Sequence, residues 1–143
     1  QFWAQHGIQN FELLHNNCRF WGDVALCGTR GWFFEEEADG HNEKVFHREV
    51  LRLETSLKAA GEGEKLCFLH YPPLYQGYIC QEIVDLLERY GVSACYYGHL
   101  HGGSHRLAQE GRRGSVEYHL VAGDYLDFQP VKVLDGPQNE KVL

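Results

Sequence analysis

Methionine is absent from the 143 residues, proline occurs four times, and no apolar run approaches the roughly 20 residues that a membrane-crossing helix needs. Without an initiator methionine, Gln1 is not expected to be the natural start. Residues Gln1 to Gln5 also lack the basic and apolar regions of a signal peptide. A soluble, cytoplasmic protein is therefore expected. No C-x-x-C pair occurs, and the five cysteines, Cys18, Cys27, Cys67, Cys80 and Cys95, are odd in number. This argues against a disulfide framework and a zinc knuckle, and it points to reduced core thiols. The longest basic cluster is Arg112-Arg113 in a chain of net charge -7, which argues against a broad electrostatic footprint for duplex nucleic acid. A small or locally held phosphate ester suits this balance better. There is no internal repeat and no low-complexity linker, so residues 1–143 are read as one domain.

Against these absences, 43% of the residues are apolar, enough for a sizeable core, and there are nine histidines. Two short apolar runs, 11–16 and 24–28, are bounded by Asn16-Asn17, Gly22-Asp23 and Gly28 and read as strands. From 43 to 60, Val45, Phe46, Val50, Leu51, Leu53, Leu57 and Ala60 recur at three- and four-residue steps, the mark of an amphipathic helix that stops near Gly61. The run Lys65 to His70 suits a strand buried on both faces, closed by Pro72-Pro73. A second helix is expected over 79–90 and a strand over 92–97, followed by Gly98-His99-Leu100-His101-Gly102-Gly103. This order predicts parallel pairing with crossovers, and ligands of such sheets gather beyond the C-terminal strand ends. Residues 116–122 and 130–134 read as strands with no helix between them, so antiparallel hairpins are expected to finish the sheet.

His70 ends one predicted strand, and His99 and His101 follow another. In an extended segment, residues i and i+2 face the same side, so the H-x-H pair can turn both imidazoles into one cavity. Three imidazoles converging from two strand ends suit Zn, Fe or Mn. By spacing alone, a mononuclear zinc site with a water in the fourth position remains open. Arg30 sits just past a strand end beside Gly31, where a guanidinium can grip phosphate oxygens in a bidentate manner; pairing with the Glu35-Glu36-Glu37 run is the alternative. That acidic run reads as a solvated loop. His6, His15, His41 and His47 have no partners at ligand spacing, and His119 reads as a packed or surface residue. His105, four residues after His101, has the reach to line the cavity.

The combination Gly28-Thr29-Arg30-Gly31-Trp32, His70-Tyr71-Pro72-Pro73 and Gly98-His99-Leu100-His101-Gly102 resembles the calcineurin-like metallophosphoesterases. Within that superfamily it more closely resembles a group of bacterial predicted phosphohydrolases that carry the G-T-R-G-W stretch. The resemblance covers essentially the whole chain as the C-terminal portion of that domain. It implies half of a four-layer α/β/β/α sandwich with a mixed sheet, a dinuclear centre of two divalent ions (Mn, Fe or Zn), and hydrolysis of a phosphomonoester or phosphodiester by in-line displacement. By motif, His70 and His99 would share one ion and His101 would serve its neighbour. The family's D-x-H, G-D-x-x-D and G-N-H-[DE] motifs do not occur here. The resemblance therefore implies a chain that begins just downstream of G-N-H, supplies metal ligands but no catalytic residue, and is inactive alone. The alternative is a noncatalytic metal-binding or scaffold module of the same fold.

Overall fold

The computed structural model describes residues 2–8, 12–32 and 40–135. Its centre is a mixed six-stranded sheet built from β1 (Asn17–Trp21), β2 (Val24–Thr29), β3 (Lys65–Leu69), β6 (Val92–Tyr97), β7 (Gly111–Arg113) and β8 (Val116–Leu120), in the order β1-β2-β3-β6-β8-β7. A short helix, α1 (Phe2–Gln5), precedes it. The crossovers are α2 (Gly40–Ala59), between β2 and β3, and α3 (Gln81–Arg89), between β3 and β6. Strands β4 (Leu74–Tyr75) and β5 (Tyr78–Ile79) form a small separate hairpin. The chain is thus a mixed α/β protein, and the parallel run β2-β3-β6 follows the expected strand-helix alternation.

Register explains where the core lies. Cys27, Cys67, Cys95 and Tyr118 are neighbours across four parallel strands, all buried. They face α2 and α3, which contribute Leu53, Leu57, Ile83, Val84, Leu86 and Leu87 to the same apolar cluster. The next residue on each strand gives the opposite row: Gly28, Phe68, Tyr96 and His119. Phe68 stacks on Tyr96 at 5.2 Å, and Tyr96 on His119 at 4.9 Å. These three rings are only half-buried. His119 is thus packed within the sheet face, in keeping with its expected role. All five cysteines are free, and four of them are buried.

Three sequence expectations need correction. The first strand does not span 11–16: Phe11 lies outside the described residues, 12–16 are irregular, and the strand begins at Asn17. The Asn17 side chain accepts from the His15 N–H and donates to the Leu13 carbonyl, which folds 13–17 into a turn, and Gly22-Asp23 then makes the two-residue hairpin into β2. The sheet does not finish only in antiparallel hairpins. β8 pairs parallel with β6, and the eighteen-residue stretch 98–115, which includes a 3-10 helix (Gly102–Leu107) and β7, provides the return path in place of an α-helix. Residues 130–134 join no ladder, because left-handed backbone at Asp127 and Phe128 turns the chain away after β8. The Glu35-Glu36-Glu37 run lies outside the described residues. Among the described residues, no helix is long and apolar enough to cross a membrane.

Candidate metal centre

The parallel strands stop in register, with Thr29, Leu69, Tyr97 and Leu120 side by side. Backbone bonding continues past them. The N–H groups of His70 and Tyr71 both donate to the Arg30 carbonyl (3.1 and 2.9 Å), Gly98 N–H donates to the His70 carbonyl (3.2 Å), and Val121 N–H donates to the Tyr97 carbonyl (2.7 Å). The strand exits are therefore laced together, and Arg30, His70 and the Gly98-His99 turn reach one edge at one level. Gly28 makes this possible on the β2 side. A Cβ there would stand 2.3 Å from the Phe68 carbonyl oxygen.

At that edge, Nδ1 of His99 lies 3.2 Å from Nε2 of His70. The Tyr71 ring meets both imidazoles edge-on, with centroids at 4.7 and 4.6 Å. Burial, and then the neighbouring His70 and His101, hold the His99 imidazole below its ordinary pKa, so its lone pair is available at neutral pH. His99 has a left-handed backbone, φ 70°, so the extended geometry expected of H-x-H does not hold. The two rings diverge: His99 turns to His70, while His101 Nδ1 meets Asp124 Oδ1 at 2.7 Å. Asp124 Oδ2 accepts from the Gly102 N–H at 2.8 Å and lies 3.2 Å from His105 Nε2. The Gly102 amide first, then His101 and His105, hold this carboxyl well below the usual carboxylate range.

Arg30 shares a cavity of about 390 Å³ with His70, His15, Phe68 and Tyr96. Its guanidinium lies 5.7 Å above the Tyr71 ring and 3.7 Å from Glu49 Oε1. Glu49, on α2, is buried and also receives Arg52 (2.5 Å) and the Thr29 hydroxyl (3.3 Å). Among the described residues this carboxylate pairs with Arg30, while the Glu35 run lies outside them. Its sequence signal was a charge at a core-facing position: Phe46, Glu49, Val50, Leu53, Ser56 and Leu57 share one helix face. Asp124 carried no such signal, because only the folded chain brings it to His101. His15 likewise had no partner in sequence and enters the cavity wall through the turn before β1.

Two imidazole nitrogens that bind one ion at about 2.0–2.1 Å stand roughly 2.9–3.4 Å apart for bond angles between octahedral and tetrahedral. The separation of 3.2 Å between His70 and His99 fits that requirement, and it also fits a shared proton. Among the described residues, no three His, Cys, Asp or Glu side chains converge as a metal cage. Comparison of the chain with protein-family models, with curated proteins and with solved structures found no match, so the functional reading stands on motifs and geometry.

Proposed function

We propose that this chain is the C-terminal portion of a metal-dependent phosphohydrolase of the calcineurin-like type, acting on a phosphomonoester or phosphodiester with two divalent ions drawn from Mn, Fe and Zn. The observation that carries this reading is the pair His70 Nε2 and His99 Nδ1, 3.2 Å apart beyond the ends of adjacent parallel strands. His70 and His99 would hold one ion and His101 its neighbour. When bound, the ions would supply Lewis-acid stabilisation of phosphate charge and a more acidic water. Arg30, in the same cavity as His70, would bind phosphate oxygens, with Glu49 and the Tyr71 ring limiting its swing. The ring of Tyr71 also shields one side of the histidine pair from water. The half-buried row Phe68, Tyr96 and His119, on the sheet face away from α2 and α3, supports the four-layer sandwich, in which a second sheet would cover it. Five free cysteines support a reducing, cytoplasmic setting.

The test is titration of the chain with Co(II), read by its visible ligand-field bands, and with Mn(II) and Zn(II) by calorimetry. Wild type should bind, and His70→Ala and His99→Ala should each weaken binding at least tenfold. Binding unchanged in both variants would sink the proposal. One observation favours a second reading, a noncatalytic metal-binding or scaffold module: only two of the three histidines meet. Aryl phosphate hydrolysis, assayed on the product of the complete encoding reading frame, separates the two. Metal binding without turnover of either a monoester or a diester selects the module.

A further inference from the structure

Asp124 has no place in the motif pattern, yet both of its carboxylate oxygens are engaged at the Gly98–Gly103 loop. Oδ1 meets His101 Nδ1 at 2.7 Å, and Oδ2 accepts from the Gly102 N–H at 2.8 Å. An ionised carboxylate only accepts hydrogen bonds, so the proton between Oδ1 and the ring belongs to Nδ1. In a neutral imidazole, that leaves the lone pair on Nε2. The position of Asp124 is itself determined. It lies in the tight turn after β8, where Tyr125 and Leu126 N–H groups donate to the Ala122 carbonyl and Phe128 N–H donates to the Gly123 carbonyl. Glu110 braces that turn from the side, accepting from the Leu120 N–H at 3.0 Å and from the Tyr125 hydroxyl at 2.7 Å.

We infer that Asp124 is a positioning residue for His101: it fixes the Nδ1–H tautomer and aims Nε2 at the metal, so that His99 and His101 present opposite ring nitrogens, Nδ1 and Nε2. This rests on the metal-site reading above and extends it to an atom-level assignment. The alternation has a structural cause. The left-handed backbone of His99 carries its ring toward His70, while His101, in extended conformation at φ -117° and ψ 153°, leans to the β8 side and reaches Asp124. A carboxylate behind a metal-binding imidazole raises the basicity of the ligating nitrogen and prevents ring rotation, and its removal costs about 10–100-fold in metal affinity. His105 Nε2, 3.2 Å from Oδ2, adds an electrostatic contact on the far side of the same carboxylate.

The primary readout needs no metal. Long-range proton–nitrogen correlation of the metal-free chain, recorded over a pH series, reports which nitrogen of His101 carries the proton; a His101→Gln spectrum assigns the signal. Wild type should show Nδ1–H. Asp124→Ala should shift toward Nε2–H and lose about 10–100-fold in Co(II) affinity, and Asp124→Asn should do the same while keeping the loop bond, because its one oxygen accepts from the Gly102 N–H and its NH2 then donates to Nδ1. Because the Gly102 bond is also lost in Asp124→Ala, the Asn variant separates tautomer control from loop stability. A wild-type His101 protonated at Nε2 overturns the inference, whether or not the chain binds Co(II). So does an Nδ1–H tautomer and Co(II) affinity that Asp124→Ala leaves unchanged. If instead Asp124 sets the tautomer but His70→Ala and His99→Ala bind Co(II) as wild type does, the metal-site reading fails and the positioning role falls with it.

Discussion

Replacing Gly28 with alanine should loosen the fold at the edge that carries the candidate site. The added Cβ would lie 2.3 Å from the Phe68 carbonyl oxygen and 3.1 Å from Leu14 Cδ2. The first neighbour is backbone in an adjacent strand and has no rotamer with which to retreat. An ordinary contact needs roughly 3.5 Å, so β2 and β3 must part locally by about 1 Å. Overpacking of this kind costs about 1–3 kcal/mol. The same displacement lengthens the His70 and Tyr71 bonds to the Arg30 carbonyl, now 3.1 and 2.9 Å, past the useful range. Each such bond contributes about 0.5–1.5 kcal/mol net.

The sum is about 2–6 kcal/mol, which for a chain of this length corresponds to a fall in Tm of roughly 6–20 °C. Calorimetric or circular-dichroism melts of the 143-residue chain measure it directly. Gly103→Ala is the control, since a Cβ there meets nothing within 4 Å and its backbone is not left-handed. A Gly28→Ala melt within about 2 °C of wild type would refute the close-approach argument, because no physical route relieves a backbone overlap of this depth at so small a cost.

Ser56→Ala should cost about 1–3 kcal/mol in urea unfolding, because the buried Ser56 hydroxyl accepts from the Gly28 N–H at 2.9 Å and donates to the Asn17 carbonyl, and both groups lose their partner. Of the five thiols, only Cys18 should react quickly with an aromatic disulfide reagent at pH 8, since the other four are buried and burial pushes Cys27 up to about 12; rapid release of two equivalents would contradict the core assignment. Stability should fall as pH rises above about 8.5. Folding raises the pKa of Cys27, Cys67, Tyr97 and Tyr118, so the unfolded chain releases these protons first. The contribution is complete below the unfolded thiol value and is lost progressively toward the folded Cys27 value of about 12. A Tm that stays level between pH 8 and 10.5 would count against it.

The parallel core was legible because its signals are strong and local. Apolar runs with a histidine or glycine at the end mark β3 and β6, and the spacing of Leu53, Leu57 and Ala60 marks α2. What failed depended on distant or backbone-specific facts. The start of β1 was misread because Asn16-Asn17 looks the same as a turn that closes a strand and as one that opens it; the hydrogen bonds of the Asn17 side chain decide. The parallel placement of β8 has no periodic signature, since its crossover is a 3-10 turn and a short hairpin. The H-x-H geometry was misjudged because the alternation rule presumes extended backbone, and His99 is left-handed.

The site's construction also accounts for how its motifs are spread along the chain. Thr29, Leu69 and Tyr97 are register partners, so each motif segment delivers its polar residue one step past the ladder: Arg30 from the first, His70 from the second, and the Gly98-His99 turn from the third. Level presentation of these groups needs no contact between their side chains, because the Arg30 and His70 carbonyls already bind the N–H groups of the neighbouring strand exits. Side-chain contacts then refine the angles: Glu49 on Arg30, Tyr71 on the two imidazoles, and Asp124 on His101. Loss of a refining contact should therefore shift tautomer or affinity while the sheet persists. Loss of a lacing contact, as in Gly28→Ala, should disturb the sheet edge and the site together.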